Sequence, residues 1–179
     1  MFISSNILSG CKNNDPKFQE QLFKLCYVPF MKMVLRYTQN EDDAKDVINK
    51  GFFKILTKIN MFDGDEHNFY AWCKKILINE SLDHIKSSTF KLSFNFLEPK
   101  VDDAIIYPES DFTTESDLIL YYLRKLPVTT ATVFNLFALE GYSHKEIAAL
   151  IGINEGNSKW HLHSAREKLQ SWIFKNTVK

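Results

Sequence analysis

The chain has 179 residues, with 22 basic and 22 acidic side chains, so its net charge is zero, and 45% of the residues are hydrophobic. This balance excludes a wholly disordered chain, a collagen-like repeat and a polybasic tail, and it favours one ordinary domain or two small ones. There is no apolar run near the ~18 residues of a membrane-spanning helix, no signal-peptide pattern, and only 3 cysteines, so we expect a cytoplasmic protein without membrane insertion.

The neutral total hides an uneven distribution of charge. Between Phe94 and Leu118 the sequence has seven acids and one base, so this segment carries a net charge of −6 and the remainder +6. Two prolines and the lack of a helical period predict a linker at 90–115, because a structureless span of this length suits a connector better than a loop within a domain. We therefore expect one domain at 1–89 and another at 116–179.

The first half is predicted to be helical. Apolar residues recur every three or four positions over 22–37, 44–59 and 69–85, which is the spacing of one buried helix face. Pro29 lies in the first segment, so we expect that helix to start, kink or break there. A Phe-Asp-Gly-Asp sequence at 62–65 predicts the turn before the third helix. Strand signals are nearly absent from this half.

The second half is predicted to be helical as well. Amphipathic segments cover 118–126 and 133–139. Ser143 and Glu146 have the spacing of a capping box, and Gly152 suits the left-handed position that ends the helix they begin. The fold class is therefore all-α, with two small helical domains joined by a flexible acidic linker.

A helix, a short turn with glycine and a second helix between Ser143 and Lys168 have the helix-turn-helix pattern. In such units the N-terminal residues of the second helix face base edges in the major groove of DNA. The residues so placed are Glu155, Asn157, Ser158, Lys159, His161 and His163. The alternative is three packed helices with an ordinary solvated face, and spacing alone leaves both open.

The sequence also resembles a known family. One segment reads LRKLPVTTATVFNLFALEGYSHKEIAALIGINEGNSKWHLHSAREKL. It is similar to region 4 of the extracytoplasmic-function sigma factors, which are small two-domain members of the sigma-70 class. Two segments resemble region 2 of the same family, DDAKDVINKGFFKIL and FDGDEHNFYAWCKKILINESLDHIK. The resemblance runs from about Asp15 to Trp172, with both regions in the family's order.

The resemblance implies a protein that binds core RNA polymerase through the β and β′ subunits and reads promoter DNA at its −10 and −35 elements. The residues implied to grip the β′ coiled coil are Asp43, Asp46, Val47 and Asn49. Those implied to bind and open the −10 element are Phe62, Asp63, Phe69, Lys74, Lys75, Asn79, Asp83 and Lys86. Those implied to face the −35 element are Lys159, His161, His163 and Arg166. An anti-sigma factor is a further candidate partner.

The chain departs from the family pattern in its recognition helix. Trp160, His161 and Ser164 stand where Ser, Arg and Arg are common, so the face toward DNA is less basic than usual. We therefore expect modest DNA affinity without core enzyme and leave the promoter sequence open. The acidic linker is either a solvated tether or an occupant of the positively charged nucleic-acid channel of polymerase.

Enzyme motifs are missing from the sequence. It has no Gly-rich phosphate loop, no H-E-x-x-H and no G-x-S-x-G, and Cys73 follows an apolar helical period as a core residue would. We expect no catalytic activity and no cofactor. Two other interpretations remain at this stage: a stand-alone helix-turn-helix regulator with a helical sensor or dimerisation domain, and an interaction protein without DNA contact.

Overall fold

The computed structural model describes residues 3–94 and 115–177, and every regular element within these ranges is helical. The predicted all-α class is therefore confirmed for the described residues. The chain divides into two compact units, residues 1–95 and 96–179. Residues 90–94 of the predicted linker, 90–115, are helical and continue the last helix of the first unit, and residues 95–114 lie outside the described residues.

Four helices make up the described part of the first unit. They are α1 (Ser5–Lys12), α2 (Pro16–Val34), α3 (Glu41–Lys58) and α4 (Glu66–Phe94). A short 3-10 turn, Ile59–Met61, follows α3. The sequence periodicity indicated α2, α3 and α4 but gave no indication of α1.

Local sequence explains where these helices begin. The Asp15 carboxylate accepts a hydrogen bond from the backbone N–H of Lys17 at 2.9 Å, and Pro16 occupies the first helical position, where its missing N–H costs nothing. The Asn40 side chain accepts from the backbone N–H of Asp43 at 2.8 Å and begins α3 in the same way. Pro29 lies inside α2, which continues through it to Val34.

A shared core holds α2, α3 and α4 together. Each of these helices contributes a stripe of buried side chains, namely Leu22, Cys26, Phe30, Val47, Ile48, Ile55, Phe69, Cys73 and Leu77. Periods of three and four along each helix produce these stripes, as the sequence predicted.

The three free cysteines are all buried in this unit. Burial raises the pKa of Cys11 to about 11 and that of Cys26 to about 12, and it raises the pKa of Cys73 as well. The thiols are therefore protonated at neutral pH and belong to the core, as predicted for Cys73. Within the described ranges, no group of three or more His, Cys, Asp or Glu side chains is placed to hold a metal ion.

The described part of the second unit has four helices as well. They are α5 (Glu115–Lys125), α6 (Val128–Phe134), α7 (His144–Ile151) and α8 (Glu155–Thr177). The predicted helix at 133–139 is the end of α6 followed by a π-helical turn, Asn135–Leu139. The core of the second unit includes Leu123, Leu126 and Ala165, with Leu169 and Trp172 packed against them. No helix over 3–94 or 115–177 has the length and apolar character required to cross a bilayer.

Gly51 on α3 faces Leu77 on α4 and is predicted to be a sensitive position. A Cβ atom added to Gly51 would lie 2.4 Å from Cδ2 of the fully buried Leu77, so Gly51→Val requires the Leu77 side chain or the helices to shift. We expect a loss of about 1–3 kcal/mol in the free energy of unfolding of the first unit, measured by amide exchange in α3 and α4. Lys50→Val, at the exposed neighbouring position, is the control and changes this free energy by about 0.5 kcal/mol or less. Equal effects of the two variants would contradict close packing at Gly51.

Candidate functional site

Helix α3 carries a stripe of exposed side chains on the side opposite its core face. Asp46 and Asn49 are exposed, and Phe53 is exposed over 69% of its surface. Spacings of three and four residues place these three side chains on one side of the helix. We call Asp46, Asn49 and Phe53 the α3 stripe. An aromatic ring this exposed beside polar groups has the composition of an interface anchor.

Val47 and Asp43, which were also predicted to contact the β′ coiled coil, do not lie on the α3 stripe. Val47 is only 2% exposed and packs in the core, because it lies on the same side of α3 as Ile48 and Ile55. The Asp43 carboxylate accepts a hydrogen bond from Asn40 Nδ2 at 3.0 Å and completes the cap of α3. Phe53 was missed in the sequence analysis, although its position off the apolar period of α3 was a usable signal.

A cluster of three aromatic rings lies beneath the loop that precedes α4. The ring centroids of Phe62 and Phe69 are 5.1 Å apart, and that of Trp72 is 5.4 Å from Phe62 and 5.6 Å from Phe69. Phe69 is completely buried and Phe62 nearly so, whereas Trp72 is partly exposed. Two of the rings predicted to meet a DNA base therefore form the floor of the loop and have almost no free surface.

The loop itself, residues 62–65, has a defined shape. A Cβ atom on Gly64 would lie 2.7 Å from Cζ of Phe62, so the backbone passes close over the ring and only glycine fits there without displacing it. Asp65 accepts a hydrogen bond from the backbone N–H of Asn68 at 2.9 Å and begins α4. Asp63, between Phe62 and Gly64, is exposed.

Helix α4 carries a second exposed stripe. Lys75, Asn79, Asp83 and Lys86 are all exposed, and spacings of four, four and three residues place them on one side of the helix. We call these four residues the α4 stripe. Lys74 is partly buried and lies about 100° around the helix from Lys75, so the structure separates it from this set.

An ion pair between the two helices fixes α3 against α4. Lys54 Nζ donates to the Glu80 carboxylate, which is 9% exposed, and this hydrogen bond raises the pKa of Lys54. Because the pair adds to the shared core, the α3 stripe and the α4 stripe belong to one rigid helical body.

In the second unit, the capping signals predicted for the helix-turn-helix are confirmed. Ser143 and Glu146 form the reciprocal capping box at the start of α7. Gly152 has φ +74°, the left-handed conformation that ends α7. Asn154 then accepts a hydrogen bond from the backbone N–H of Asn157 at 2.7 Å and begins α8.

Two residues predicted to face DNA instead hold α8 in place. Ser158 is completely buried, and its Oγ lies 2.9 Å from Nδ1 of His144 on α7. The His144 ring stacks on Phe137 with centroids 4.5 Å apart. His161 is partly buried, and its Nδ1 lies 3.0 Å from Oγ1 of Thr130 on α6. Ser158 therefore has no surface to offer a ligand, and His161 is directed toward α6.

The remaining predicted residues of α8 are exposed. They are Glu155, Asn157, Lys159, His163 and Arg166. Trp160, with 62% of its surface exposed, lies among them and was not included in the predicted set. We call these six exposed residues, which spread over about 200° of the helix circumference, the α8 face. It combines two permanent cations, hydrogen-bonding groups and one large aromatic ring.

Comparison with known proteins gives the same family for both units. The family model described as Sigma-70 region 2 matches residues 22–90, and the model described as Sigma-70, region 4 matches residues 116–169. Together the two matches cover most of the chain and include the α3 stripe, the α4 stripe and the α8 face.

Individual relatives and solved structures agree with this match. The chain is 23% identical to RNA polymerase sigma factor SigV of Bacillus subtilis over 83% of this chain and 87% of the relative. It is 24% identical to the ECF RNA polymerase sigma-E factor of Salmonella typhi over 88% of this chain and 89% of the relative. Its fold is similar to the sigma factor RpoE from Bartonella quintana, solved in complex with the anti-sigma factor NepR, with a TM-score of 0.56, 22% identity and coverage of 86% and 95% of the two chains. It is also similar to CnrH in complex with the cytosolic domain of CnrY, with a TM-score of 0.52, 19% identity and coverage of 94% and 96%.

The environment of His161 predicts a pH effect in the second unit. Burial lowers the pKa of His161 below its usual value of about 6.5, so the folded unit favours the neutral ring. As the pH falls below 6.5, the unfolded chain takes up a proton that the folded chain resists. The stability contributed by this site is therefore fully present above pH 6.5 and decreases as the pH falls toward the folded pKa.

An NMR titration of the His161 ring checks this expectation. We expect a midpoint below that of a free histidine, together with reduced amide-exchange protection of α6 and α8 at acidic pH. His161→Gln should remove this site's share of the pH dependence. A midpoint at or above about 6.5 would show that burial does not control the ring.

Proposed function

The chain belongs to the sigma-70 family, as a sigma factor of the extracytoplasmic-function type, and we propose the following assignment of its surfaces to the steps of transcription initiation. It binds core RNA polymerase and directs promoter-specific initiation through the −10 and −35 elements. The observation that carries this function is the presence of both sigma-70 regions, in order, in one chain. A stand-alone helix-turn-helix regulator would not account for the match over residues 22–90.

We assign the α3 stripe to the β′ coiled coil of core polymerase. Asp46 and Asn49 supply a carboxylate and an amide for polar pairing, and Phe53, one turn further along the helix, supplies an exposed apolar anchor. Interfaces gain most of their energy from a few aromatic residues with polar groups around them, which is the composition of this stripe. Val47 supports the stripe from the core and is not proposed as a contact.

The loop 62–65 and the α4 stripe are assigned to the −10 element. Lys75 and Lys86 suit phosphate contacts, and Asn79 suits hydrogen bonds to a base edge. Removing a base from its stack costs a few kcal/mol, which a receiving site offsets with stacking and hydrogen bonds. Trp72, the partly exposed ring of the aromatic cluster, is the ring proposed to stack with that base.

The α8 face is assigned to the −35 element. Lys159 and Arg166 suit phosphate or guanine contacts, whereas Asn157 and Glu155 suit adenine and cytosine edges. His161 and Ser158 orient the helix and are not proposed as base contacts. On this assignment residues 1–89 form the domain for core polymerase and the −10 element, residues 116–179 the domain for the −35 element, and residues 90–115 their linker.

The family and the solved neighbours also suggest the setting in which the chain acts. The sigma factor RpoE of Bartonella quintana was solved with an anti-sigma factor, so we propose a protein of that class as a regulatory partner here. We place the chain in the cytoplasm, where core polymerase acts. We assign it no catalytic reaction and no cofactor.

Transcription with purified core polymerase tests the function directly. Adding the chain to core enzyme and genomic fragments should produce new run-off transcripts with defined start sites, and the chain should co-purify with core. Mapping those starts also gives the promoter needed for the experiments below. Lack of both new transcripts and co-purification would overturn the proposed function.

A charge reversal on the α3 stripe tests its assignment to core polymerase. Asp46→Arg reverses the exposed charge of this stripe, so we expect core affinity to fall by about tenfold or more, measured by fluorescence titration. Glu20→Arg on α2, an exposed charge away from the stripe, is the matched control and should leave core affinity nearly unchanged. Unchanged affinity of the Asp46→Arg variant would show that the contact is wrongly placed.

A substitution at Asn79 tests the assignment of the α4 stripe to the −10 element. Asn79→Ala removes an exposed amide from the α4 stripe, so open-complex formation should fall by about tenfold while core affinity stays within about twofold. Potassium permanganate footprinting of the promoter measures opening, and the same titration measures core binding. Equal loss of both activities would assign Asn79 a structural role.

A further inference from the structure

Helix α1 is firmly attached to the first unit although it lies outside the region that matches the family model, 22–90. Leu8 and Cys11 are buried. A Cβ atom on Gly10 would lie 2.1 Å from Cδ2 of Phe18 on α2, so the backbone of α1 lies directly on that ring. This close packing gives α1 a fixed position. From there Lys12, the last residue of α1, contacts the loop before α4.

Lys12 Nζ donates a hydrogen bond to the backbone carbonyl oxygen of Phe62 at 2.9 Å, across 50 positions of sequence. Lys12 is partly buried, so part of its side chain is already withdrawn from water. A charged donor on a carbonyl makes one of the stronger hydrogen bonds in a protein.

Phe62 is thereby held at three points. Its backbone N–H donates to the carbonyl oxygen of Ile59 at 3.2 Å, its ring packs against Phe69, and its carbonyl is held by Lys12. The next two residues, Asp63 and Gly64, are exposed, and neither forms a backbone-to-backbone hydrogen bond within the described part of the chain. The contact from Lys12 therefore fixes the point at which the loop leaves the aromatic cluster.

We propose that Lys12 is a positioning residue for promoter opening, because it holds loop 62–65 in the shape that receives an unpaired −10 base. The inference rests on the assignment of this loop to the −10 element. If the loop is already ordered before the base binds, none of the free energy of base binding is lost in ordering the loop. More of that free energy then offsets the cost of unpairing the base. Lys12 does not touch DNA in this proposal; it acts through the Phe62 carbonyl.

The experiment uses two substitutions at Lys12 in the full chain bound to core polymerase. Lys12→Met keeps the apolar length of the side chain and removes the charged donor, whereas Lys12→Arg keeps a charged donor. Lys17→Met, an exposed lysine at the start of α2, is the matched control. The probe is a single-stranded oligonucleotide carrying the non-template −10 sequence of the promoter mapped by run-off transcription.

We expect Lys12→Met to weaken binding of this oligonucleotide, and open-complex formation on duplex promoter, by about tenfold, the loss typical of one charge-assisted hydrogen bond. Core affinity should stay within about twofold, and amide exchange at residues 62–65 should become faster. Lys12→Arg should restore most of the binding, and Lys17→Met should behave as the wild type.

The inference is overturned if Lys12→Met binds the oligonucleotide as the wild type does. It is equally overturned if Lys12→Met loses core affinity and oligonucleotide binding to the same extent, because α1 would then support the whole unit and not the loop. The proposed function fails separately, and this inference with it, if the wild-type chain with core polymerase neither initiates transcription nor binds the oligonucleotide.

Discussion

The packing of α3 against α4 is the contact on which the first unit depends. Gly51 allows the two helices to approach, Leu77 fills the space that a side chain would take, and the pair of Lys54 with Glu80 fixes the helices beside their core. A helix has a limited circumference, so the side used for packing determines which residues remain for partners. The α3 stripe and the α4 stripe are what this packing leaves exposed, and they keep a constant geometry because one core supports both.

The second unit achieves the same result with buried polar groups. Ser158 and His144 fix α8 against α7, and Thr130 and His161 link α8 to α6. Such hydrogen bonds are directional, so they define the rotation of α8 more narrowly than apolar contacts alone. A recognition helix needs a defined rotation, because a turn of 100° would replace one set of side chains with the next. Two polar residues of α8, Ser158 and His161, are thus used for orientation and are not part of the α8 face.

The sequence predicted the features that depend on local chemistry. The all-α class, the capping box at Ser143 and the left-handed Gly152 each depend on a few neighbouring residues, and each was confirmed. The core stripes of α2, α3 and α4 followed from periodicity in the same way. The α1 helix did not, because its 8 residues present too short a pattern to distinguish from a loop.

The burial of individual site residues was less predictable, because it depends on neighbours distant in sequence. Val47, Phe69 and Ser158 match a family pattern, yet a pattern does not state whether a side chain faces a partner or the core. Aromatic rings suit both environments, so Phe69 and Trp72 could be separated only by the structure. Phe53 and Trp160 gave the opposite signal, since a large apolar residue off the buried period has no place in the core.

The charge distribution bears on how the proposed surfaces would select a promoter. The α8 face carries only two permanent cations, Lys159 and Arg166, beside Glu155, so we expect it to release few counterions on DNA and to have a low affinity by itself. On the proposed assignment, two modules on one chain bind the same promoter with an effective concentration set by the chain between them, which multiplies weak affinities without new contacts. The seven acids and one base between Phe94 and Leu118 suit either a solvated tether or an occupant of the positively charged nucleic-acid channel of polymerase. We therefore expect selection to require both elements at the right spacing.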